Sequence, residues 1–101
     1  MDVHVVNRLT IIGTARDLKR FFRDEQWMQA AGVRHIELME HLPERHAWQF
    51  QTEAPPLHFL RSISRQWTTL TFVLDYDCED ERLKGLAKGK HGRLQHYRVS
   101  Y

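Results

Sequence analysis

Apolar residues alternate with polar ones in some stretches of the chain and recur at helical spacing in others. Val3, Val5, Leu9 and Ile11 fall on one side of an extended segment, with Val6 and Ile12 on the other, which predicts a first strand ending at Gly13. Thr14 then stands where a helix needs its N-cap, and Asp17 puts a carboxylate near the positive helix end. Leu18, Phe21 and Phe22 give that helix an apolar face. Trp27 and Met28 extend the face less regularly, up to a stop at Gly32.

Alternation then resumes. Ile36, Leu38 and Leu42 fall on one side of a second strand, and His35, Glu37 and Met39 on the other. A turn at Pro43 leads into His46 to Glu53, where Trp48, Phe50 and Thr52 share one face opposite Gln49 and Gln51, so the two segments predict a hairpin. Pro55 and Pro56 suit a helix entrance, because the first turn does not need the N–H that proline lacks. Leu60, Ile63, Ser64 and Trp67 form the stripe of that second helix, with Leu57 and Phe59 at its margins. Leu70, Phe72, Leu74 and Tyr76 alternate with Thr71, Val73, Asp75 and Asp77 in a last core strand. Beyond it, Gly85, Gly89 and Gly92 read as a flexible basic loop, and Leu94 to Tyr101 as an additional terminal strand.

This order predicts an α+β fold, a ferredoxin-like βαββαβ sandwich with two helices on one face and an extra C-terminal strand. One domain spans residues 1–101, with 82–101 as its basic loop and terminal strand extension. The expected core comprises Leu9, Ile11, Leu18, Phe22, Ile36, Leu38, Trp48, Phe50, Leu60, Ile63, Leu70, Phe72 and Leu74.

Composition agrees with a globular chain: 42% of residues are hydrophobic and 28% charged, enough for one core in 101 residues. Arg8, Asp17, Lys19 and Arg20 interrupt the N-terminal apolar region, so no membrane association is expected. Cys78 is the single cysteine and cannot form an internal disulfide, which agrees with a cytoplasmic location. It also cannot supply the four thiolates of an iron–sulfur cluster. The net charge of +2 conceals a segregation: Asp75, Asp77, Glu79, Asp80 and Glu81 precede Arg82, Lys84, Lys88, Lys90, Arg93 and Arg98.

That basic run is the candidate partner-binding site. Lys84, Lys88, Lys90, Arg93 and Arg98 can neutralise phosphates or carboxylates, while His91, His96 and Tyr97 can add hydrogen bonds or stacking. The expectation is a non-enzymatic interaction domain that binds an acidic protein or single-stranded nucleic acid. The terminal strand also offers an edge for a homodimer. The alternative is a small metal-dependent or acid–base hydrolase, drawing on His35, His41, His46 and His58 with Glu37, Glu40, Glu44 or Glu53. Asp75 with Asp77 forms a candidate hard-cation pair, and Cys78 with His91 or His96 a candidate nucleophilic pair. No catalytic residue, metal ligand or cofactor is assigned. Gly13 is isolated, and neither an HExxH nor a CxxC spacing occurs.

Several runs carry a resemblance to a known family: Asn7 to Gly13, Trp48 to Pro56, and Leu70 to Phe72 leading into Leu74 to Tyr76. In sequence and order they resemble the YubB-like, ferredoxin-like proteins associated with plasmids and phages. The resemblance implies the same fold and a plasmid or phage association, and it carries no catalytic residues over to this chain.

Overall fold

A computed structural model describes residues 4–24, 26–30 and 32–101; Val3, expected on the first strand, lies outside them. The elements in chain order are β1 (Val5–Ile12), α1 (Ala15–Arg23), α2 (Gln26–Ala30), β2 (Arg34–Leu42), β3 (Arg45–Thr52), α3 (Leu57–Gln66), β4 (Thr71–Cys78), β5 (Leu83–Lys90) and β6 (Arg93–Ser100). The strands form one antiparallel sheet in the order β2-β3-β1-β4-β5-β6. Its first four strands follow the ferredoxin-like βαββαβ arrangement with helices on one face, and β5 and β6 extend it beyond β4.

Alternation decides which face is buried. Val5, Asn7, Leu9 and Ile11 of β1 point to the helices, in register with Thr52, Phe50, Trp48 and His46 of β3. On the other flank, Tyr76, Leu74 and Phe72 of β4 continue the same rows. Thr14 caps α1 as expected: its hydroxyl accepts from the Asp17 N–H at 3.2 Å and donates to the Asp17 carboxylate at 2.9 Å. Leu60, Ile63 and Ser64 are the buried stripe of α3.

The first helical region is not one continuous helix. Asp24 adopts extended backbone, and its Oδ1 accepts from the Gln26 N–H at 3.1 Å, so the chain re-enters helix in a new direction. The turn brings Trp27 against Phe21, Trp48 and Phe50, with ring centroids 5.7 to 6.0 Å apart. Phe21 therefore takes the central place expected of Phe22: it is buried and also packs edge-on against Phe72, whereas Phe22 is 39% exposed.

Two other expectations need correction. Ile36 and Leu38 are not core, because β2 is an outer strand and its register with β3 shifts twice, between Arg34 and Glu37 and again between Leu38 and Glu40. These bulges break strict alternation, so Leu38 pairs with Trp48 and faces the helices while Leu42 pairs with Arg45 and faces away. The segment after β4 is not a basic loop: apart from a short turn at Glu79–Glu81, it is the regular strand β5.

Candidate functional site

Strand β5 reads Leu83-Lys84-Gly85-Leu86-Ala87-Lys88-Gly89-Lys90, and its period of two sorts small residues from cations. Gly85, Ala87 and Gly89 face the helices. A Cβ on Gly85 would lie 2.0 Å from the Tyr76 ring, and one on Gly89 would press at 3.2 to 3.3 Å on Leu60 and Ser64 of α3. The glycines therefore serve close packing here, and the flexibility expected of them gives way to a bed for Tyr76 and α3. A two-residue turn follows, with His91 at φ 55° and Gly92 at φ 77°, the positive-φ pair that lets strands reverse tightly. The Gly92 N–H donates to Ser64 Oγ at 3.0 Å, which ties the hairpin tip to α3.

The basic residues fall on two faces of this hairpin. Lys84, Lys88 and Lys90 of β5 and Arg93 of β6 all project away from the helices and are exposed. Tyr97 shares that face at 69% exposure, beside Gln95 and Val99. No acidic residue occurs in either strand. His96 and Arg98 project to the helix side, where the Tyr76 hydroxyl and His96 Nε2 are 2.5 Å apart. Burial pushes the Tyr76 phenol above its ordinary value, and the Arg98 charge opposes that shift. His91 sits in the turn. Of the eight candidate residues, five thus form one open surface, two form a separate group with Tyr76, and one lies at the tip.

Acidic residues border the open surface on β4. Asp75 and Asp77 do share its face, as their spacing predicts, but Asp77 Oδ1 accepts from the Tyr101 hydroxyl at 2.7 Å. That bond, reinforced by burial and the carboxylate's charge, pushes the Tyr101 phenol up to about 12. Lys84 Nζ stands 5.2 Å from the centre of the same ring. Asp77 is thus engaged at the margin, and the remaining cations extend away from it toward the turn.

The histidine candidates separate. His35 is the second residue of β2, with φ 53°, and His58 lies in α3, while His41 and His46 meet across the β2–β3 hairpin with ring centroids 4.5 Å apart. Phe22 stacks on His41 at 5.0 Å. His46 is only 3% exposed, and among the described residues its Nδ1 has no hydrogen-bond partner. Burial, aided by His41, lowers its pKa below the ordinary value of 6.5. A cavity of about 550 Å³ beside the pair is lined by Lys19, Phe22, Arg23, Leu42 and both imidazoles. The glutamates proposed to orient them are elsewhere: Glu40 pairs with Arg45 on the opposite face, and neither Glu37, Glu44 nor Glu53 lines the cavity. Cys78 is buried at the end of β4 paired with Leu83, four residues along the hairpin from the row of His96. No group of three or more His, Cys, Asp or Glu residues is placed to hold a metal among the described residues. Nor is any helix among them long and apolar enough to cross a membrane.

Comparison with family models, with characterised proteins and with solved structures returned no match.

Proposed function

We propose that this chain is a non-enzymatic interaction domain that binds single-stranded nucleic acid along the open face of the β5–β6 hairpin. The observation that carries the reading is the co-facial set Lys84, Lys88, Lys90 and Arg93, with exposed Tyr97 beside it and no acid in either strand. Lys88 and Lys90 are two residues apart on one strand, about 6.8 Å, and Lys90 is paired with Arg93 across the turn. Such a line of charge can follow a flexible phosphate backbone, and an aromatic beside it can stack a base without demanding a particular sequence. An open depression of about 250 Å³ beside Lys88, Lys90, His91, Arg93 and Gln95 has no carboxylate in its lining, so His91 has no acid–base partner there, which favours binding over turnover. A plasmid or phage setting, implied by the YubB-like motifs, belongs to the same proposal.

The test is fluorescence anisotropy with labelled single-stranded RNA and DNA of about 12 nucleotides and a matched acidic peptide, each at two salt concentrations. Four phosphate contacts on a single strand give a log–log salt slope of about −2.8, roughly −0.7 per contact. Replacing Lys84, Lys88, Lys90 and Arg93 with Gln should abolish binding and slope together. Equal loss with the inward-facing Arg98→Gln variant, or peptide binding lost on those four substitutions with no oligonucleotide binding, would overturn the assignment of this face to nucleic acid.

A further inference from the structure

Among the described residues, β6 is the last strand of the sheet and is hydrogen-bonded on one side only, to β5. The Tyr101 N–H donates to the Arg82 carbonyl at 2.7 Å, and these two residues continue the register in which Lys84 pairs with Val99, Leu86 with Tyr97, Lys88 with Gln95 and Lys90 with Arg93. Antiparallel ladders alternate between pairs that exchange both backbone bonds and pairs that exchange none. Residues 93, 95, 97 and 99 therefore direct their backbone groups to β5. The N–H and C=O groups of Leu94, His96, Arg98 and Ser100 point out of the sheet.

Those free groups stand on an edge with unbroken register to β5 and no positive φ between Arg93 and Ser100. The opposite edge, β2, is blunted by two register shifts and the positive φ of His35. What guards β6 is charge. A second copy added antiparallel, centred on Tyr97 with faces matched, would set His96 against the second copy's Arg98 twice, so neither guanidinium would meet an opposite charge across the strands. Carboxylates at those positions would be attracted instead.

We infer that β6 adds an extended acidic segment of another protein as a seventh strand. The segment's main chain bonds the outward groups of Leu94, His96, Arg98 and Ser100. Its carboxylates lie on the helix side opposite His96 and Arg98, and its alternate apolar side chains lie against Tyr97 and Val99, which are 69% and 65% exposed. Tyr97 belongs to both this edge and the cationic face, but Arg98 and the three lysines do not, so the two binding modes separate by mutation of those residues.

The probes are a short labelled peptide alternating Glu and Val, its Lys/Val counterpart, and a Glu/Val peptide N-methylated at alternate residues. The native protein should bind only the first. Arg98→Pro removes an outward N–H that makes no bond to β5, a change tolerated on an edge strand, and should weaken binding by roughly tenfold or more, a loss of about 1.4 kcal/mol. Arg98→Glu should reverse the preference toward the Lys/Val peptide, which supplies a second readout should the proline variant fail to fold. Lys84, Lys88 and Lys90 changed together to Gln should retain Glu/Val binding while losing oligonucleotide binding. Equal affinity for the N-methylated peptide, no discrimination between Glu/Val and Lys/Val, or a concentration-dependent dimer abolished by Arg98→Pro would overturn the inference.

Discussion

The two halves of the sheet build the same strand geometry from opposite materials. On the helix side, β1, β3 and β4 carry Leu9, Ile11, Phe50, Phe72 and Leu74, all essentially without exposure, whereas β5 carries Gly85, Ala87 and Gly89. On the outer side, β5 places three lysines in eight residues. The first half gains its stability from large side chains locked between sheet and helices. The second is held by close backbone approach and by neighbours that lean over it, notably Tyr76 and α3. Stability and binding should therefore respond to different substitutions, and the contrast can be tested in order of expected effect.

The largest effect should come from Phe72→Ala. Phe72 is fully buried and meets Phe21 edge-on, so its removal should cost about 3–5 kcal/mol of unfolding free energy in a denaturant titration. A cost near that of a surface substitution would remove the distinction between the halves.

Next is Gly85→Ala. The new methyl must displace the buried Tyr76 ring from its contact with His96, at about 1–3 kcal/mol. In a double-mutant cycle the penalty should shrink when Tyr76 is also changed to Leu, because the clash then has no partner. Additive costs would mean that Gly85 acts through backbone freedom and not through packing.

His46 gives a smaller effect that depends on pH. Because burial lowers its folded pKa below the ordinary 6.5, the unfolded chain takes up the proton first as pH falls. Its contribution to stability is complete above about pH 6.5 and is lost as pH falls through the lowered folded value. His46→Gln should flatten the decline in stability on acidification relative to the native protein, measured as melting temperature across that window. An unchanged slope would assign the decline to other groups.

The smallest effect on stability should follow from changing Lys84, Lys88 and Lys90 to Gln, within about 0.5 kcal/mol per site, although the same change should remove oligonucleotide binding. Thermal melting and anisotropy on one sample test both statements. A large loss of stability would show that these side chains hold the hairpin together.

Much of the core half was legible in sequence because each signal is local. Alternation in Leu70 to Tyr76 and in Trp48 to Thr52, the cap at Thr14 and the double proline before α3 each depend on neighbours a few residues away. The errors arose where distant contacts decide. Phe21 and Phe22 are adjacent and equally apolar, and only the break at Asp24, which swings Trp27 onto Phe50, selects Phe21 for the centre. In β5 the period-two signal was present as Lys84, Lys88 and Lys90 alternating with Gly85, Ala87 and Gly89. Small residues look like loop until a Tyr76 ring and a helix are placed over them. Buried Asn7 was equally hidden: its Nδ2 bonds Thr52 Oγ1 at 2.9 Å, a partner on another strand.

By itself, then, the sequence determined the strands and helices of the core half, the α+β class and the concentration of cations near the C-terminus, since periodicity and charge are properties of a segment. Only the tertiary structure decided that Lys84, Lys88, Lys90 and Arg93 share an open face while His96 and Arg98 lie across the sheet. It also decided that, among the described residues, β6 keeps a free edge. The physical reason is that a strand's two faces and two edges are equivalent until a neighbour covers one of them. Burial and hydrogen bonding remove that equivalence through contacts between residues far apart in the chain.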